Sequence, residues 1–169
     1  MPMTKPTLRA LLATGAALAA AASIVAGPAA SAHTRVGGMC PLSGRALSVA
    51  TPQRNTLVPP GARAVLLCRY AGVPSQRLKK KVRITKHSTV LELAKLLDAL
   101  KPLPQGTSAC PADDGSQVLA VFSGPRGAPQ DRVLVQPSGC SKATGGGLNR
   151  TALSPPGPRL IRLLKKLTR

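Results

Sequence analysis

The sequence predicts an α+β fold: a small, mainly antiparallel sheet covered by two helices on one face and held by two disulfides. Three observations point there. Short β-rich runs are bounded by Pro and Gly, two segments repeat apolar residues at helical spacing, and four cysteines follow an export-type leader.

The leader has the three parts of a secretory signal. Lys5 and Arg9 form a positive n-region, Leu11 to Gly27 is an uncharged apolar run, and Ala30-Ser31-Ala32 places small residues at a cleavage site. Cleavage after Ala32 leaves 137 of the 169 residues, with His33 first. That length suits one domain. Cys40 follows Gly37-Gly38-Met39 and not the apolar run itself, which argues against a lipid anchor at that thiol. No later segment approaches the ~18 consecutive apolar residues a membrane span requires. The expected organisation is a signal peptide over 1–32, an extended arm over 33–61, and one disulfide-stabilised α+β domain over 62–169, secreted to the exterior.

Residues 33–61 are rich in Pro, Gly, Ser and Thr without sustained periodicity, so they read as an arm tied down only by Cys40. Arg63 to Tyr70 is an apolar run between Pro59-Pro60-Gly61 and Gly72-Val73-Pro74, the length and flanks of a strand. Leu78 to Thr85 alternates, with Leu78, Val82 and Ile84 on one side and Lys79, Lys81, Arg83 and Thr85 on the other; only Lys80 breaks the pattern. Thr89-Val-Leu-Glu92 spells a capping box. Behind it Val90, Leu93, Ala94, Leu97 and Leu100 recur at helical spacing, and Lys101-Pro102 ends the helix because the residue before Pro avoids the α region. Gln117 to Phe122 and Arg132 to Gln136 form a hairpin across a Gly- and Pro-rich loop. Gly145-Gly146-Gly147 is a turn leading to a candidate short strand through Leu148 to Leu153. Pro155-Pro156-Gly157-Pro158 precedes a last helix, Arg159 to Leu167, whose apolar side is Leu160, Ile161, Leu163, Leu164 and Leu167. Such a helix would either lie on a membrane or dock on its own sheet, and the sheet's need for a cover favours docking.

Cys40, Cys68, Cys110 and Cys140 are even in number and, outside the cytoplasm, read as two disulfides. Of three connectivities the sequential one is preferred, because it closes loops of similar size, 28 and 30 positions. Each is worth roughly 3–4 kcal/mol in the chain-entropy model, which matters in a core with one Tyr, one Phe and no Trp. A zinc site is not expected: no C-x-x-C pair exists, and His33 and His87 stand at no ligand spacing to any Cys. No cofactor motif is present.

The cysteine-containing words carry a resemblance. Cys68-Arg69-Tyr70-Ala71-Gly72, the Leu-rich helix ending Leu97-Asp98-Ala99-Leu100, Cys110-Pro111-Ala112-Asp113-Asp114-Gly115 and Ser138-Gly139-Cys140 resemble a group of small secreted four-cysteine proteins of actinomycete bacteria. Members read C-R-Y, a Leu-rich helix, C-P-x-D-x-G, a strand pair and a further Cys. The resemblance covers about residues 62–167 and implies secretion and a shared disulfide fold; it implies no activity. Many members carry aromatic residues in the strand after C-P-x-D-x-G, where this chain has only Phe122.

Lys and Arg number 24 against 5 Asp and Glu, a formal charge of +19. Lys5 and Arg9 are the only cations of the leader, so the mature chain carries +17. With Tyr70 and Phe122 as the only aromatic rings, a base-stacking platform cannot be built, and sequence-specific nucleic-acid binding is not expected. Five carboxylates and two histidines leave little for acid–base catalysis, and no nucleophile elbow or phosphate-cradling loop is present. Asp113-Asp114-Gly115 lacks the alternating oxygens of a calcium loop and reads as a turn. A catalytic set would require His87 to meet Asp113 or Asp131.

The remaining functional signal is basic. Arg77, Lys79, Lys80, Lys81, Arg83 and Lys86 form one cluster; Arg159, Arg162, Lys165, Lys166 and Arg169 form another. A field of this sign attracts polyanions, although cations on solvated faces also serve solubility. The expectation is a non-enzymatic domain that adsorbs to anionic cell-envelope polymers. The alternative is a secreted protein-binding module, such as an enzyme inhibitor, offering the arms at 41–61 or 123–131.

Overall fold

A computed structural model describes residues 40–45, 47, 49, 53–106, 110, 112–125 and 129–169. The expected signal peptide, its cleavage after Ala32 and His33 lie outside the described residues.

Seven strands and two helices follow in the order β1 (Ala64–Tyr70), β2 (Leu78–Ile84), α1 (His87–Asp98), β3 (Lys101–Pro102), β4 (Gln117–Ser123), β5 (Pro129–Gln136), β6 (Lys142–Gly145), β7 (Leu148–Thr151) and α2 (Gly157–Leu167). They build one sheet in the order β2-β1-β4-β5-β6-β7-β3, with every neighbouring pair antiparallel. The fold is therefore α+β, and its sheet is larger than the small one expected. The two added strands have little sequence signal: β6 reads Lys-Ala-Thr-Gly, and β3 is only Lys-Pro. Tertiary context supplies what propensity lacks. Gly146 and Gly147 both take positive φ, 58° and 74°, the requirement of a two-residue hairpin turn whose twist matches the strands. That turn folds β6 onto β7, and β7 then templates β3.

Alternation along the strands separates two cores. Val65 and Leu67 of β1, Val118, Ala120 and Phe122 of β4, and Val133 and Val135 of β5 cluster with Val90, Leu93 and Leu97 of α1 and Leu160 and Leu164 of α2. The last helix thus buries its apolar side within the protein. The intervening residues, Leu66, Cys68, Tyr70, Leu119, Val121 and Leu134, form a second cluster with Cys40, Leu47 and Val49. Tyr70 is the largest side chain fully buried there; its hydroxyl has no partner among the described residues, and burial pushes its pKa up to about 12.

The segment before β1 is bound at more points than Cys40. Leu57 and Val58 are buried in the first core, and Asp98, at the end of α1, accepts their backbone N–H groups through Oδ1 at 2.7 and 3.0 Å. Arg54 donates its backbone N–H to the Gly146 carbonyl and pairs with the buried Asp131 carboxylate at 3.2 Å. The disulfides join Cys40 to Cys68 and Cys110 to Cys140, the sequential pairing.

Two local expectations are corrected. The helix begins at His87, two residues before Thr89, and its N-cap Lys86 makes no side-chain cap. Glu92 reaches across to Arg159 at 2.7 Å instead of back to its own helix start. On β2, a bulge opposite Arg69/Tyr70 pairs Arg69 with Lys80 but Tyr70 with Leu78. The extra residue flips the side chains that precede it, so Leu78 packs with Tyr70 while Ile84 and Val82 join the core of the helices.

Candidate functional site: a cationic edge and cleft

The basic residues named from the sequence are exposed without exception: Arg77, Lys79, Lys80, Lys81, Arg83, Lys86, Arg159, Arg162, Lys165 and Lys166. Six belong to β2 or its flanks. β2 is an edge strand, and lysines and a bulge are also the devices by which sheets keep their edges from pairing with other chains. Register divides this set. Lys81 stands opposite Cys68 and Arg83 opposite Leu66, on the side of the second core; Lys80 stands opposite Arg69, on the side of the helices. Arg77 precedes the strand and bridges to Ser43. Lys86 occupies the N-cap position of α1, where the helix dipole already presents positive charge.

Among the second set, Arg159 is spent on Glu92 in a pair exposed on both sides, an interaction worth about 0–1 kcal/mol. Arg162, Lys165 and Lys166 lie on the exposed side of α2, opposite Leu160 and Leu164.

The two sets meet in one place. A cleft of about 530 Å³ opens where β1 ends, β2 begins and α2 makes its last turn; Arg69, Lys79, Lys165, Asp114, Ser116 and Ser138 line it together with the apolar Ile161 and Leu164. Arg69 was not among the residues singled out from the sequence. Its signal was there: in Val65-Leu-Leu67-Cys-Arg69 it continues the alternation that places Val65 and Leu67 against the helices. Its guanidinium Nη1 donates to the Thr168 carbonyl at 3.3 Å, close to the end of α2.

One wall of the cleft is a knot of short polar bonds. Asp113 Oδ1 accepts the Gly115 N–H and Asp114 Oδ1 accepts the Ser116 N–H, both at 2.8 Å, so each carboxylate makes a turn of the Asx kind. The Ser138 hydroxyl lies 2.8 Å from Asp113 Oδ1 and 2.6 Å from Asp114 Oδ1. These hydroxyl and backbone donors, with Lys165 acting through space, hold the Asp114 carboxyl down at about 2. The Val73 N–H donates to the Asp114 carbonyl at 2.9 Å, and Gly72 leaves no room there for a Cβ, which would strike that same carbonyl. The Asp pair is thus a turn, built into the wall beside the Cys110–Cys140 disulfide.

The groups that a catalytic set would combine are placed on separate elements. His87 is exposed in the first turn of α1, Asp131 is buried beside Arg54, and Asp113 is bonded to Ser138. Among the described residues, no three His, Cys, Asp or Glu side chains gather as metal ligands, and no helix is long and apolar enough to cross a membrane.

Fold and site define a disulfide-bonded α+β domain with a cationic edge and cleft. Comparison with protein-family models, with curated proteins and with solved structures finds no match for this chain.

Proposed function

We propose that this chain is an exported, non-enzymatic cationic domain, its two helices covering one face of the sheet, that adsorbs to anionic cell-envelope polymers through residues 77–86 and α2. The secreted four-cysteine proteins of actinomycetes are its proposed relatives. The observation that carries the reading is the state of the cations. Of the ten named on β2, its flanks and α2, only Arg159 takes part in an ion pair among the described residues, and several stand where local stability disfavours them. Lys80 faces Arg69 across the strand pair, and like charges directly opposite are destabilising. Lys86 occupies the positive end of a helix without an acidic residue in its first turn. A polyanion turns each of these costs into an attraction. The two disulfides suit an oxidising exterior.

The test is chromatography of the mature protein on immobilised heparin. Retention is expected to fall steeply as salt rises through about 0.1 M, where the screening length shrinks to about 10 Å. Replacing Lys79, Lys80, Lys81 and Arg83 by Gln together is expected to lower the eluting salt concentration. Retention indifferent to salt, or capture from culture fluid of one stoichiometric protein with no affinity for heparin, overturns the reading.

A further inference from the structure

We propose that the cleft between β1, β2 and the last turn of α2 is a discrete site for one doubly charged phosphate monoester. The inference takes the anionic nature of its ligand from the adsorption reading, but the site is local and saturable where adsorption is diffuse.

Charge balance selects the ligand. Arg69, Lys79 and Lys165 bring three positive charges to the lining, and Asp114 brings the one carboxylate. The net +2 is cancelled by a phosphate monoester, which carries nearly two negative charges above its second pKa near 6, and only half cancelled by a carboxylate. Asp114 Oδ1 accepts bonds from Ser138 and Ser116, and none of Arg69, Lys79 and Lys165 forms an ion pair with Asp114 or any other described carboxylate. Arg69 uses one donor on Thr168 and keeps the rest of its planar fork, whose geometry matches phosphate oxygens. Lys80, facing Arg69 across the strands, adds to the field without lining the cleft.

Shape agrees with charge. The volume exceeds that of a phosphoryl group, and Ile161 and Leu164 offer an apolar wall to the organic part of an ester. The opposite wall is preorganised by the bond from Val73 to Asp114, the close approach at Gly72 and the bonds of Ser138, so ordering it costs a ligand little.

The experiment is a titration of isotope-labelled mature protein with glycerol 3-phosphate, followed by amide chemical shifts at constant ionic strength and about pH 7.5, where the ester is a dianion. Saturable shifts are expected at Ala71, Ser116 and Ser138, with acetate producing none at the same concentration. Lys79→Gln and Lys165→Gln, both on exposed side chains that leave the fold intact, are each expected to weaken binding by about fivefold or more, the loss of one charge-assisted contact. Lys101→Gln, on β3 at the far edge of the sheet, is expected to bind as the parent does. Shifts that never saturate, that spread along β2 and α2, that acetate reproduces, or that survive Lys165→Gln unchanged overturn the site. Salt-sensitive heparin retention without a saturable titration removes the cleft and leaves adsorption standing; saturation without retention does the reverse.

Discussion

Asp114 shows how a turn residue is tied into the fold by more than its own loop. Adjacent carboxylates are rare in a chain with five, yet both accept bonds from their own loop and from Ser138. Its pKa, held at about 2, makes a prediction whose sign follows from linkage. The carboxylate is more acidic in the folded chain than its ordinary value of about 3.9, so its contribution is fully present above that value and is lost as pH falls toward 2. Asp114→Asn keeps an acceptor oxygen but no charge. The stability gap between parent and variant, measured by denaturant midpoint, is expected to narrow between pH 5 and pH 2, within the window set by about 2 and about 3.9; a gap that holds constant refutes the role of the charge. Arg69 stands between Cys68 and Tyr70 in a strand, and only the fold reveals that it shares a cleft with a lysine from α2.

At the scale of elements, apolar patterning and its Pro and Gly breakers located both helices and the four longest strands, while chemistry at their ends misled. Thr89 and Glu92 have capping-box spacing, but α1 starts at His87 and Glu92 is drawn to Arg159 of α2. Thr89→Ala is accordingly expected to change unfolding free energy by less than about 0.5 kcal/mol, where a working cap would lose about 1 kcal/mol. A loss of the larger size would restore the capping box. The bulge on β2 is the other departure. A strict alternation read from Leu78 to Thr85 assigns Leu78 to the side of Ile84, but one added residue sends it to Tyr70. Lys80 breaks the alternation beside the slip, but it does not say which residues change side, since three consecutive lysines tolerate either side equally.

For the whole molecule, the second core depends on covalent attachment. Cys40, Leu47 and Val49 reach it from the segment ahead of β1, and the Cys40–Cys68 bond anchors that segment to β1, next to the edge strand. Replacing Cys40 by Ser and Cys68 by Ala is expected to lower stability by roughly 3–4 kcal/mol, the closure entropy of such a loop, in denaturant unfolding under non-reducing conditions. A loss under about 1 kcal/mol would mean that apolar packing alone holds the segment, since a native disulfide in a small domain typically contributes 2–5. The first core needs no such link, because α1, α2 and the bonds from Asp98 to Leu57 and Val58 close it.

By itself the sequence determined the class of fold, the longer elements and the basic character, because apolar period, breakers, cysteine count and net charge are local or additive properties. The tertiary structure alone decided the seven-strand sheet, the two-sided core and the meeting of Arg69, Lys79 and Lys165. Those depend on which distant segments become neighbours: β6, β7 and β3 form because a Gly-Gly turn and a neighbouring strand offer them partners, and the cleft exists because α2 ends over the strands that begin the sheet. Spacing along a chain cannot encode that adjacency, since backbone pairing and burial are settled only when the whole core closes.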